Sequence, residues 1–139
     1  MANTITAHIN QVGPTTSQGE IRGHTVLIDR PRAKGGEDRG AMGGEYLLVA
    51  LGGCFNSNLL AAIHARGAAI ANIHIALEGT LEGTPPRYTR IHMAVAADYE
   101  DRALMERLIA ISERSCIVAN TLKDTLQLTV SVGERAPAN

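Results

Sequence analysis

The first regularity in the sequence is an alternation of apolar and polar residues with a period of two, which is typical of β-strands that bury one face. It predicts two N-terminal strands that form a hairpin, at residues 5–9 and 20–29. It predicts a second hairpin at residues 70–81 and 87–98, joined by the turn sequence EGTPP. Residues 125–132, TLQLTVSV, predict a last strand.

Two stretches between these strands show helical spacing instead. From Glu45 to about Arg66, large apolar residues recur every three or four positions, and the opposite side carries Ala, Gly and Val. This helix is apolar nearly all round, so we expect it to be central. Gly67 is placed to end it. Residues 98–115 predict an amphipathic helix, and a short helical turn is expected after Cys116.

The order of these elements is β-β-α-β-β-α-β. Hairpins with helices between them predict an α+β fold with an antiparallel sheet, in one domain over residues 1–139. Residues 30–44, RPRAKGGEDRGAMGG, are rich in glycine and charge and predict a flexible loop. Ala41 and Met42 follow Gly40 where a phosphate-binding loop needs Lys and Ser or Thr, so this is not a nucleotide site.

Composition excludes several classes of partner. Thirteen basic and fourteen acidic residues leave a net charge of −1, without the basic excess that binding to nucleic acid requires. The longest continuous apolar run, Tyr46 to Phe55, is too short to cross a bilayer. Residues 1–20 have neither the positive charge nor the apolar core of a targeting segment. We therefore expect a cytoplasmic protein that binds neither membranes nor nucleic acid.

The two cysteines, Cys54 and Cys116, lie 62 positions apart and are expected to be thiols in a reducing compartment. Gly52 and Gly53 precede Cys54 inside the apolar helix, where each costs about 1 kcal/mol relative to alanine. Close approach of another backbone, most simply a second long helix, is an explanation. On the residues alone, Cys54 is either a small core residue at this crossing or a reactive thiol.

Cys116 follows Arg114 and Ser115 at the predicted break between helices. Free amide groups and a cation there favour a thiolate, although a half-buried cysteine that anchors a helix end is the alternative. Among the histidines, His74 and His92 are expected to oppose each other across the second hairpin, but two histidines alone make a poor metal site. His64 is expected on the surface of the first helix.

Three segments resemble the OsmC/Ohr family of organic hydroperoxide reductases. They are Pro-x-x-x-Gly-Gly at residues 31–36, Glu-x-Leu-Leu-x-Ala-Leu-Gly-Gly-Cys at residues 45–54, and Cys-x-x-x-Asn-x-Leu at residues 116–122. The similarity covers most of the chain in the order of its elements. It implies an OsmC-like α+β fold, with antiparallel sheets around two central helices in an intertwined homodimer whose site lies at the subunit interface.

The resemblance also implies a chemistry. Cys54 matches the family's peroxidatic cysteine and Cys116 its resolving cysteine. The thiolate of the first attacks an organic hydroperoxide, and the resulting sulfenic acid condenses with the second thiol to a disulfide. No cofactor is implied. The reductant is an external dithiol or a lipoylated protein.

Family peroxidases hold the thiolate with an N-terminal arginine, which a glutamate at the start of the central helix orients. Glu45 is the candidate for this glutamate. Residues 1–21 contain no Arg or Lys, so Arg22 is the candidate arginine and Arg30 an alternative. The leading hypothesis is a thiol peroxidase. The alternative is a non-enzymatic OsmC-like dimer that binds an apolar small molecule or senses oxidants.

Overall fold

The computed structural model describes residues 2–133 of the chain. The chain divides into two compact units, Met1–Leu47 and Leu48–Asn139, and each unit contains a three-stranded sheet. The prediction of one domain over residues 1–139 stays a prediction.

The N-terminal unit contains an antiparallel sheet of three strands, in the order β1, β2, β3. They are β1 (His8–Gln11), β2 (Ser17–Ile21) and β3 (His24–Ile28). The prediction of one strand over residues 20–29 is wrong, because a two-residue turn interrupts it. Arg22 and Gly23 both have positive φ, 52° and 85°, as the tight turns that join antiparallel strands require.

The glycine-rich segment after β3 is folded onto this sheet. It contains a 3-10 turn at Arg32–Lys34, and the amide of Asp29 donates to the carbonyl of Ala41 over 3.1 Å. A Cβ added to Gly36 or Gly40 would lie 1.9 Å from the Arg30 oxygen or 2.0 Å from the Leu27 oxygen. These two glycines permit close contact between backbones, and the expectation of a flexible loop stays a prediction.

Asp29 holds the two loops of this unit together. Its buried carboxylate accepts hydrogen bonds of 2.8 Å from the hydroxyls of Thr15 and Thr16, and further bonds from the amides of Arg30 and Arg39. Burial raises the pKa of Asp29, but these four bonds outweigh burial, and the pKa lies well below its usual range. No motif in the sequence marks Asp29.

The C-terminal unit combines helices with a mixed sheet. Its strands are β4 (Ala71–Glu82), β5 (Arg87–Asp98) and β6 (Gln127–Val132). Its helices are α2 (Arg102–Ser115) and α3 (Ile117–Leu122), and the long helix α1 (Gly43–Arg66) begins in the N-terminal unit and continues here.

The strands β4 and β5 are antiparallel as predicted, but β5 and β6 are parallel. The expectation of a wholly antiparallel sheet is therefore wrong for β6. The reason is that α2 and α3 lie between β5 and β6 in the chain, and a crossover of this kind returns the chain in the original direction. The α+β class and the order of the main elements agree with the sequence.

The core of the C-terminal unit is aliphatic. Residues from α1, β5 and α2 form one buried cluster, including Leu51, Phe55, Leu59, Ile91, Met93, Val95, Met105 and Leu108. By length and composition α1 is apolar enough to cross a membrane, but its buried side chains belong to this cluster. It is thus a core helix.

The predicted pairing of the two histidines is wrong. The hairpin pairs Glu82 with Arg87, so its turn is centred between Thr84 and Pro85, and with a register shift between Thr80 and Leu81 this places His92 opposite Glu78 and His74 opposite Ala96. The ring of His92 instead contacts the next strand, with Nδ1 2.6 Å from Thr129 Oγ1 and Nε2 2.8 Å from Ser131 Oγ. Both of its nitrogens are used in holding β6 to β5.

Candidate functional site

The residues around Cys54 show why glycine precedes it. A Cβ on Gly52 would lie 2.6 Å from Leu77 Cδ1, so the missing side chain makes room for a residue of the sheet. A Cβ on Gly53 would meet nothing within 4 Å. The expectation that a second backbone packs against both glycines is therefore wrong for Gly52, whereas Gly53 lies on an open side of α1.

Cys116 occupies the one-residue break between α2 and α3. Its backbone is extended, with φ −78° and ψ 113°, so the helical path is interrupted here. Its sulfur accepts a 3.5 Å hydrogen bond from the amide of Ala119 and thereby caps α3. The residue is 0% exposed, so it is fully buried and not half-buried.

The fold brings the two thiols into contact, and neither is in a disulfide. Burial raises the pKa of Cys54, but hydrogen bonds outweigh burial and lower the pKa from its ordinary value. The donors are the amide of Val118, the thiol of Cys116 and the amide of Ile117. Cys54 is thus the sulfur that ionises more readily.

The pKa of Cys116 moves in the opposite direction. Burial raises it, and the hydrogen bond and charge of Cys54 raise it further, against the opposing effect of the amides of Ala119 and Val118. From the sequence, the free amides at this break were expected to favour a Cys116 thiolate. The structure instead shows two of them, those of Ile117 and Val118, acting on Cys54.

The arrangement is chemically asymmetric. Cys54 is partly exposed and has the lower pKa, whereas Cys116 is buried and holds its proton more tightly. A thiolate is the nucleophilic form of cysteine, so Cys54 is the sulfur that can attack an electrophile. Cys116 is the thiol in contact with it.

Glu45 and Arg22 both lie in the N-terminal unit. Glu45 is in the first turn of α1, where its Oε1 accepts a 2.8 Å hydrogen bond from the amide of Met42 and caps the helix. Arg22 is exposed in the turn between β2 and β3, and the alternative Arg30 is exposed after β3. Their predicted roles with the thiolate stay predictions.

Other side chains near the cysteines were not foreseen as site residues. Asn58 donates to the carbonyl of Cys54 over 3.0 Å, and Asn120 donates to the carbonyl of Arg114 over 3.0 Å. Asn120 is the asparagine of the Cys-x-x-x-Asn-x-Leu segment, which was quoted for its resemblance to the family and not as a site residue. His64 is exposed ten residues after Cys54, or ~15 Å along α1.

Comparison with known proteins identifies the family. The sequence model of OsmC-like proteins matches residues 35–131, which is more than half of the chain and includes both cysteines. The chain belongs to the OsmC-like protein family. No protein of curated function matches it in sequence.

Solved structures agree with this OsmC-like fold. An OsmC-like protein from Mycoplasma pneumoniae superposes with a TM-score of 0.78 at 15% identity, over 98% of this chain and 100% of the other. The organic hydroperoxide resistance protein OsmC of Legionella pneumophila gives 0.73 at 18% identity, over 96% and 98%. An organic hydroperoxide resistance protein from Elizabethkingia anophelis gives a TM-score of 0.71 at 17% identity, over 96% of this chain and 99% of the other. At these identities the likeness establishes the fold of the OsmC-like chain.

Proposed function

We propose that this OsmC-like chain is a thiol-dependent peroxidase that reduces organic hydroperoxides. The observation that carries the proposal is the contact between Cys54 and Cys116, with their pKa values moved in opposite directions. A peroxidatic cysteine needs a stabilised thiolate, and a resolving cysteine needs to be close and less reactive. Hydroperoxide resistance proteins among the structural relatives support this reading.

The reaction proceeds in two steps. The Cys54 thiolate attacks one peroxide oxygen, the O–O bond breaks, and the other oxygen leaves as an alcohol after it takes up a proton. Cys54 becomes a sulfenic acid. The Cys116 sulfur then attacks the Cys54 sulfur and displaces water, so two thiols and one hydroperoxide give a disulfide, an alcohol and water.

Cys116 is set to react second. The negative charge of Cys54 contributes to the raised pKa of Cys116. Conversion of Cys54 to a neutral sulfenic acid removes this charge, so the pKa of Cys116 falls and its thiolate becomes more available. The contact with Cys54 therefore disfavours ionisation of Cys116 before the first step and no longer does so after it.

The remaining parts of the proposal follow from the family resemblance. The enzyme uses no cofactor, acts in the cytoplasm, and is reduced by an external dithiol or a lipoylated protein. Glu45 with Arg22 or Arg30 supplies an additional positive charge to the thiolate. The amides of Ile117 and Val118 lower the pKa of Cys54 without it, so we expect that charge to assist the reaction.

The enzyme is proposed to be a homodimer. One side of α1 carries Val49, Gly53, Ser57, Leu60 and His64, at the helical spacing that places residues in a single row. All five are exposed, including Val49 at 63% and Leu60 at 51%. A central helix with exposed apolar residues beside a glycine supports packing against a second copy.

One feature favours the alternative function. The N-terminal unit contains an apolar groove of about 330 Å³, lined by Ile9, Gly19, Ile21, Val26, Ile28 and Tyr46 among others. A groove of this size falls within the range of small-molecule sites. It supports a binding protein for an apolar compound if the thiols prove unreactive.

Single-turnover oxidation distinguishes the two functions. Cumene or tert-butyl hydroperoxide should form an intramolecular Cys54–Cys116 disulfide with about one peroxide consumed per pair, and dihydrolipoamide should restore turnover. Cys54→Ser should abolish consumption, and Cys116→Ser should stop at a sulfenic acid that dimedone traps. Equally slow oxidation of the wild type and both variants would contradict the peroxidase and favour the binding protein.

A further inference from the structure

The geometry of the cysteine pair depends on the single residue that separates α2 from α3. The amides of Ile117 and Val118, which act on Cys54, are the first two of α3. The sulfur of Cys116 lies at the break itself. A change in the angle between α2 and α3 would therefore move all three groups relative to Cys54.

Asn120 ties the two helices across this break. Its side-chain nitrogen donates over 3.0 Å to the carbonyl of Arg114, in the last turn of α2. Its own amide donates over 2.9 Å to the carbonyl of Cys116. Asn120 thus bonds to the end of α2 and to the extended residue at the break, and it satisfies a helix-terminal carbonyl that α2 itself leaves free.

Asparagine is otherwise poorly suited to this position. It has low helix propensity, and α3 has only six residues. Asn120 is exposed, so its side chain gains nothing from packing in the core. Within the part of the chain that the structure describes, the side chain of its neighbour Thr121 bonds inside α3, from Oγ1 to the carbonyl of Ile117 over 2.8 Å. These two residues therefore offer a comparison between a bond across the break and a bond inside the helix.

We propose that Asn120 is a positioning residue for the Cys54–Cys116 pair, because its bond to the Arg114 carbonyl fixes the angle at which α3 presents its first amides and the Cys116 sulfur to Cys54. This inference deepens the proposed function and rests on it. Hydrogen bonds weaken steeply with distance and angle, so a small rotation of α3 reduces the support of the thiolate.

The test compares two variants in which the new side chain is similar in shape to the native one. Asn120→Leu removes the bond across the break, and Thr121→Val removes the bond inside α3. The readout is the rate at which iodoacetamide alkylates Cys54, measured by peptide mass spectrometry from pH 5 to 10. Among the described residues, Cys116 is the titratable group that contacts Cys54, so its alkylation is followed in the same samples.

Asn120→Leu should move the midpoint of Cys54 alkylation to higher pH and lower the alkylation rate near neutral pH by about tenfold, since hydrogen bonds to the thiolate favour the charged form. Thr121→Val should leave the profile unchanged. Asn120→Gln, which keeps the amide, should recover part of the wild-type profile. If Asn120→Leu does not fold, Asn120→Ala replaces it in the same comparison.

The two proposals fail separately. Superimposable profiles for Asn120→Leu and Thr121→Val, at similar thermal stability, would overturn the positioning role whether or not the wild type turns over peroxide. A shifted profile in Asn120→Leu, together with a wild type that consumes no hydroperoxide, would support the positioning role and overturn the peroxidase.

Discussion

At the scale of single residues, backbone amides, burial and the contact between the two sulfurs move the pKa values of the two cysteines in opposite directions. The amides of Ile117 and Val118 favour the Cys54 thiolate, whereas burial and the charge of Cys54 keep Cys116 protonated. We predict that the rate at which Cys54 reacts with iodoacetamide rises with pH and levels off at a lower pH than for a free cysteine. Cys116 should still be gaining reactivity above that pH. A common midpoint for both thiols would contradict the asymmetry.

Asp29 gives a second prediction at this scale. Its pKa is lowered in the folded chain, so folding favours its ionised form, and the stabilisation is complete above the unfolded pKa of about 4. As pH falls from about 4 towards the lower folded pKa, the unfolded chain binds a proton that the folded chain does not, and the stabilisation is lost. Urea unfolding between pH 7 and 3 should show this loss.

The control for Asp29 is another aspartate of the same unit. Asp29→Asn should destabilise the chain at pH 7 and weaken the fall in stability below pH 4, because the carboxylate with four hydrogen-bond donors is absent. Asp38→Asn changes an exposed aspartate with positive φ, a conformation that asparagine tolerates, and should retain the wild-type dependence. Identical pH profiles for the two variants would show that the Asp29 bonds do not matter.

The sequence contained part of this residue-scale information. Cys54 and Cys116 stand in separate motifs, and the resemblance proposed them as a pair. Their contact is visible only in the structure. The amides that distinguish their pKa values carry no side-chain signature, and the donors to Asp29 come from positions up to 14 residues away, so neither follows from local sequence.

At the scale of elements, substitutions of the glycines in residues 30–44 test whether close contact between backbones stabilises the chain. A Cβ on Gly40 would overlap the Leu27 carbonyl, so Gly40→Ala must displace backbone and should cost about 1–3 kcal/mol. Gly43→Ala is the control, because its Cβ would meet nothing within 4 Å. Urea unfolding gives both values, and amide exchange at Asp29 shows whether its bond to Ala41 is lost in Gly40→Ala. Equal stabilities would mean that this contact is not required.

The elements themselves were predictable where their pattern was long. The predicted helices and the second hairpin agree with α1, α2, β4 and β5 to within a few residues. The prediction of the first hairpin was wrong because Arg22 adopts positive φ. This conformation is uncommon outside glycine and gives no signal in an alternating run. The predicted direction of β6 was also wrong, because alternation indicates which face of a strand is buried and not the direction in which the strand runs.

At the scale of the whole molecule, the unexplained feature is the open side of α1. Its core side is filled by Leu51, Phe55 and Leu59, which are fully buried. Its opposite side exposes Val49 and Leu60 around Gly53, an apolar surface on a helix that is already well packed elsewhere. Glycine lowers the stability of an isolated helix, so its presence here calls for a partner at close range.

Gly53→Leu tests whether the chain is a dimer, because its expected effects on stability in a monomer and in a dimer have opposite signs. In a monomer the new side chain enters open space, and the better helix propensity should stabilise the chain by about 1 kcal/mol. In a dimer with crossed α1 helices it prevents close approach, so the dimer should dissociate and lose the stability that association provides.

Ala65→Leu, at an exposed position of α1 away from this row, is the matched control and should leave association unchanged. We predict a dimer by light scattering at micromolar concentration for the wild type and Ala65→Leu, and a monomer for Gly53→Leu. A monomeric wild type that Gly53→Leu stabilises would refute the dimer.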